Sequence, residues 1–150
     1  MKTVCLISCG SKKREGKHPA KDLYIGNYFA ASRKYAEKKC HAYYIISGLH
    51  GLLGKDQEVE KYEYSLVGSK KNKFEFKKTK VPGIVEFFLN TYKPDTIKII
   101  SLLSESYSGL ITPLKEAGYS VDEPCAGLPI GKRNKWLHEQ LVGTRQGYLL

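Results

Sequence analysis

The sequence predicts an α/β fold: a single domain with a mainly parallel sheet of about four strands flanked by helices. Three observations carry that expectation. Short β-branched or aromatic runs at 3–8, 42–47 and 96–101 each close on serine or glycine, as strands entering loops do. Between them lie stretches with apolar residues three or four positions apart, the spacing of helices that cover a sheet. The chain of 150 residues fits one domain of ordinary size, and neither a repeat nor a linker divides it.

The elements follow in order. Residues 3–8 form the first buried strand, ending at Cys9-Gly10-Ser11. A polar loop over 12–22 carries six basic residues, counting His18. A helix is expected over 23–39, with Tyr24, Tyr28, Ala31 and Tyr35 on one face, Asp22 as its N-cap and Lys38-Lys39 at its negative end. The second strand is 42–47, closed by Gly48. Residues 49–54 are too glycine-rich for a regular element, and an acidic stretch runs on to Glu63. Residues 69–92 read as helical, interrupted at Pro82-Gly83. A third strand covers 96–101, Ser104 caps a helix running to Ala117, residues 119–121 give a short fourth strand, and Ile130-Gly131 opens a last helix through Leu141.

Hydrophobic residues at 41% and charged residues at 27% exclude whole-chain disorder. No apolar run approaches the roughly 20 residues that span a bilayer, and the first apolar stretch is too short for a signal peptide, so no membrane partner and a cytoplasmic location are expected. The formal net charge of +10 favours polyanions. Cys5, Cys9, Cys40 and Cys125 include no closely spaced ligand pair, so neither metal nor cofactor is expected and all four read as reduced thiols.

Five segments could carry chemistry. Ser8-Cys9-Gly10-Ser11-Lys12-Lys13 leaves the first strand where open α/β sheets bind ligands. Gly10 permits close backbone approach, the serines offer hydroxyls and the lysines charge, which together make an anion cradle; the alternative is a basic surface turn. Ser47-Gly48-Leu49-His50-Gly51 leaves the second strand at the same edge. It presents an acid–base histidine between two glycines, and no packing role read from the sequence requires glycine on both sides of it. The acidic segment 56–63 includes Asp56, a candidate general base, and Tyr62, which shares a face with Tyr64 if extended and could stack a base; a solvated strip is the plainer reading. Lys70, Lys71, Lys73, Lys77, Lys78 and Lys80 make the strongest basic patch, suited to a nucleic-acid backbone, although on a helix they spread over several faces. Finally, Gly131, Lys132 and Arg133 stand at a helix start, where cations oppose the helix dipole and are better explained by an external anion.

The motif Ser47-Gly48-Leu49-His50-Gly51-Leu52-Leu53, followed by Asp56 and Tyr62, resembles the centre of the YaaA-like peroxide-stress proteins. A smaller uncharacterised YaaA-like family is closer still. The resemblance includes Ser8-Cys9-Gly10-Ser11-Lys12-Lys13, the run Ala20-Lys21-Asp22-Leu23-Tyr24 with Gly26 and Phe29, and the closing Gly127-Leu128-Pro129-Ile130-Gly131 with Trp136-Leu137. It spans nearly the whole chain, departing where Lys55 and Lys61 replace prolines. It implies a compact α/β domain linked to DNA binding and to protection of DNA from oxidative damage.

The expected function is a nucleic-acid-binding protein, DNA ahead of RNA, that inspects or processes a base or nucleotide. N-glycosidic cleavage or transfer is the chemistry that one histidine and a carboxylate suit without a metal. Asp22 or Asp56 would stabilise charge on the sugar, His50 would assist the leaving base, and Tyr24 or Tyr62 would stack an extruded base. Two alternatives stand beside it: an enzyme acting on a free nucleotide or phosphorylated metabolite, and a non-catalytic DNA-binding stress-response module.

Overall fold

The computed structural model describes residues 1–149, with side-chain surroundings over 1–142. In chain order the elements are β1 (Lys2–Ser8), β2 (Lys17–Pro19), α1 (Ala20–Leu23), α2 (Asn27–Lys39), β3 (Ala42–Ser47), β4 (Gly51–Gly54) and β5 (Glu58–Glu60). There follow α3 (Lys70–Thr79), α4 (Val81–Thr91), β6 (Ile97–Leu102), α5 (Ile111–Glu116), β7 (Ser120–Asp122) and α6 (Ile130–Leu149). Two 3-10 helices, Pro94–Thr96 and Glu105–Leu110, precede β6 and α5.

The α/β expectation holds. Five strands form the main sheet in the order β4-β3-β1-β6-β7, all parallel except β4, and β2 and β5 form a separate antiparallel pair. β1 lies at the centre, buried over Val4 to Ser8, which explains its unbroken apolar run. Its residues alternate between two cores. Val4 and Leu6 face Phe76, Ile84, Phe88 and Leu114 from α3, α4 and α5. Cys5 and Ile7 face Phe29, Ala36 and Leu137 from α2 and α6. Burying a leucine- or phenylalanine-sized side chain contributes about 1.5–3 kcal/mol, so these two layers hold the sheet edge in place.

Several expectations are corrected. The helix predicted over 23–39 is two helices, because Tyr24 is extended and bridges to Lys13; Gly26 caps α2, and Asp22 lies inside α1. The interruption predicted at Pro82-Gly83 falls at Lys80, since Pro82 fits the first turn of α4, where no amide donor is needed. Ser69 caps α3, its hydroxyl accepting from the Asn72 amide at 3.1 Å. Residues 51–54 are a strand after all. The register Ser47↔Gly51 leaves 48–50 as a three-residue hairpin turn, and Gly51 takes the left-handed conformation (φ +76°) that such loops require. Ser104 precedes a 3-10 helix before α5 rather than one continuous helix.

The cysteines are also corrected: Cys5 and Cys40 form a disulfide, while Cys9 and Cys125 remain thiols. Cys40 closes α2 just before β3, and β3 pairs Tyr43 with Cys5, so the two Cα atoms come within 6.1 Å. Their separation of 35 residues conceals that proximity in the sequence.

Candidate functional site at the carboxyl edge of the sheet

The parallel strands run second-first-third-fourth across the sheet, so the connections from β1 and β6 depart to opposite sides. Ligands in open α/β sheets bind in the crevice at such a switch point, beyond the carboxyl ends of the strands. A cleft of about 560 Å³ lies there, lined by Ser8 to Lys12, by Ser104 to Tyr107, and by Tyr28, Tyr64, Ile130 and Asn134. Its two walls are joined where the buried Ser8 hydroxyl accepts from the Ser104 amide at 2.7 Å. On the other side, the Cys9 amide donates to the Ile46 carbonyl at 3.0 Å, tying the loop to β3.

A chain of hydroxyl and thiol groups converges behind this loop. Cys9 Sγ lies 3.1 Å from the Tyr107 hydroxyl. The Tyr62 hydroxyl lies 2.6 Å from that of Tyr24 and 2.7 Å from Ser47 Oγ, and Ser47 Oγ accepts from the His50 amide at 3.1 Å. Burial, then the neighbouring Cys9, pushes the phenols of Tyr24, Tyr62 and Tyr107 above their ordinary range. They are therefore neutral at physiological pH and serve as hydrogen-bond donors and acceptors, not as bases.

The two predicted loops do meet, and Tyr62 is where they meet. Lys13 Nζ stands 4.4 Å from the centre of its ring, and the His50 imidazole packs edge-on at 4.9 Å. Lys80 passes over Gly51, its side chain 3.6 Å from where a Cβ would lie. Partial desolvation against Tyr62 and then the Lys80 charge hold His50 below its ordinary value, so the imidazole is mostly neutral at pH 7. His50 itself is exposed and is not among the residues lining the cleft. The glycines around it have packing reasons: Gly51 for its φ, and Gly48 because a Cβ would meet Leu66 at 3.0 Å. That removes the functional argument drawn from them.

The predicted carboxylates are engaged elsewhere. Asp22 pairs with Arg33 at 3.3 Å and Asp56 with Lys21 at 3.1 Å; among the described residues neither bonds to His50. Tyr62 and Tyr64 do not share a face, since Tyr62 packs into the α2 and α6 core and Tyr64 into the α3 and α4 core. Gly10, Ser11 and Lys12 line the cleft as expected. Gly131 is exposed in the first turn of α6, and Arg133 is buried, bonded to backbone carbonyls. Of the lysine patch, Lys73 and Lys77 line a recess of about 420 Å³ with Glu105, Ser106 and Ser108, beside the cleft; Lys70, Lys71 and Lys78 are exposed.

Sequence reading missed the second wall: Ser104, Glu105 and Tyr107. Their signal was their position immediately after the third parallel strand, which the switch-point rule singles out once strand order is known. It also missed Asn134, whose buried Oδ1 has no hydrogen-bond partner while the residue lines the cleft. Glu105 lines both the cleft and the lysine recess and forms no ion pair among the described residues. No group of three metal-ligating side chains occurs among those residues, and no helix there is long and apolar enough to cross a membrane.

No curated protein matches the chain. A family model covers residues 4–139, both loops, both walls and the start of α6 included, and on that match the chain belongs to DUF6884, a family of unknown function.

Proposed function

We propose that the protein binds a nucleotide, carried in a nucleic-acid strand with DNA ahead of RNA, in the cleft between the loops that follow β1 and β6. One observation carries this reading: the switch-point cleft combines apolar and aromatic lining with the Lys12 loop, and the lysines of α3 reach its edge through Lys73 and Lys77. A base needs a flat, partly apolar surface, and its phosphates need cations nearby. The net charge of +10 and the resemblance to YaaA-like proteins point the same way, and a cytoplasmic location accords with them.

The chemistry that suits this lining is N-glycosidic cleavage. The C1′–N bond breaks with its electron pair leaving on the base, water adds to C1′, and the water's proton passes to a carboxylate. Glu105 is the carboxylate available in the cleft, since Asp22 and Asp56 are held by cations. Enclosure on the scale of a single nucleotide also favours the second reading, an enzyme acting on a free nucleotide.

Fluorescence anisotropy with a labelled single-stranded DNA, its RNA equivalent and a labelled nucleoside monophosphate tests the proposal. Binding of DNA should fall by close to one log unit per log unit of salt for each phosphate neutralised. Lys73→Ala/Lys77→Ala should flatten that slope. Saturable binding of the monophosphate alone would select the second reading, and no binding of any probe would overturn both.

A further inference from the structure

A second cavity of about 600 Å³ adjoins the first, sharing Ser104 and Glu105 as a common wall. Arg133 lines it and is only 7% exposed. Its Nε donates to the Leu128 carbonyl at 2.7 Å, and its Nη1 donates to the Leu103 carbonyl at 2.9 Å and to the Tyr28 hydroxyl at 3.4 Å. None of these partners is charged. Within the described residues the guanidinium has no carboxylate in ion-pair range, although Glu105 and Glu123 line the same cavity; Glu123 is turned to Lys115 at 3.8 Å.

That arrangement is costly as it stands. Buried charge is ordinarily paired, and leaving it uncompensated is strongly destabilising. The position compounds the cost, because Arg133 lies in the first turn of α6, where the free amides already carry partial positive charge. With Nε and Nη1 occupied, the Nη2 donors remain for the cavity. Ser104 and Ser108 line it as well.

We propose that this cavity is an anion subsite that takes a phosphate group, with Arg133 as its charged ligand and the Ser104 and Ser108 hydroxyls as further donors. The phosphate belongs either to a free nucleotide or to a nucleic-acid strand. The subsite stands on the buried guanidinium alone; joining it to a base held in the neighbouring cleft rests on the function proposed above. Tyr28 links the two, lining the cleft while accepting from Arg133, so one nucleotide could place its base in the first compartment and its phosphate in the second.

Calorimetric titration of the full chain with inorganic phosphate, adenosine, adenosine monophosphate and a 5′-phosphorylated DNA oligonucleotide separates the possibilities. Phosphate and the monophosphate should bind, and Arg133→Met should weaken the monophosphate about ten- to a hundredfold, the usual loss of a charge-assisted contact. Because Arg133 also clamps Leu103 and Leu128, Ser108→Glu provides a second variant that leaves the clamp intact and fills the cavity with negative charge. It should abolish phosphate binding while circular dichroism stays native. Tighter binding of the oligonucleotide than of the monophosphate assigns the phosphate to a strand, and the reverse to a free nucleotide. Adenosine binding as tightly as its monophosphate, or Ser108→Glu binding phosphate like the wild type, would overturn the subsite and leave the base-binding cleft standing. Phosphate binding with no binding of adenosine or oligonucleotide would do the opposite.

Discussion

Replacing Tyr62 with phenylalanine isolates the hydroxyl on which the two loops converge. The ring stays, so its packing against His50 and beneath Lys13 is kept. What disappears is an oxygen 2.6 Å from the Tyr24 hydroxyl and 2.7 Å from Ser47 Oγ. Ser47 still accepts from the His50 amide. Tyr24 is 3% exposed and loses its closest partner, so its hydroxyl bears most of the cost. A buried polar group deprived of its partner costs about 1–3 kcal/mol. With a urea dependence of about 2 kcal/mol per molar, the unfolding midpoint should fall by about 1 M at unchanged slope. Urea titration followed by circular dichroism, with the disulfide intact, measures it. The double variant Tyr24→Phe/Tyr62→Phe should lose less than the sum of the two single losses, because the second change removes the orphan left by the first. A Tyr62→Phe midpoint within about 0.2 M of the wild type, or strict additivity in the double variant, would refute the idea that these hydroxyls form one network.

Three further predictions concern the frame around the site. Gly51→Ala meets nothing closer than Lys80 at 3.6 Å but must hold φ at +76°, so it should destabilise by about 1–2 kcal/mol through backbone strain, read as a lower thermal midpoint. Removing the disulfide with Cys40→Ser should cost about 2–4 kcal/mol, and a thiol reductant should then have no further effect on the variant while destabilising the wild type. His50 is depressed below its usual 6.5. Its contribution to stability is therefore full above pH 6.5 and declines as pH falls toward its folded value, since the unfolded chain takes up the proton first. Lys80→Gln should move the imidazole titration upward in NMR without restoring it fully, because burial is the larger cause; an unchanged midpoint would show that Lys80 does not act on it.

Much of the architecture was readable because its determinants are local. The buried strands β1, β3 and β6 declare themselves by short runs rich in β-branched or aromatic residues. The apolar spacing inside the stretches predicted for them declares α2 and α6, although the break at Tyr24 is not visible in that spacing. What escaped depends on partners distant in sequence. β4 has only Gly51-Leu52-Leu53-Gly54 and is a strand because β3 lies beside it. The Cys5–Cys40 bond follows from strand register, which composition does not encode. For the site, the loop over residues 8–13 and its approach to His50 were legible from their places after two strands. The opposite wall was not, because Glu105 and Tyr107 acquire meaning only when β6 is known to sit beside β1. Asp22 and Asp56 mislead for a similar reason: a sequence displays carboxylates but not the Arg33 and Lys21 that occupy them.

The outermost strands of the main sheet are β4 and β7, of four and three residues. Such abbreviated borders give another polypeptide little exposed backbone on which to template an added strand, so the sheet resists stacking into filaments. Under the function proposed above, selection of a ligand then falls to side chains at one end of the sheet, where hydroxyls, lysines and a buried guanidinium can discriminate by charge and shape.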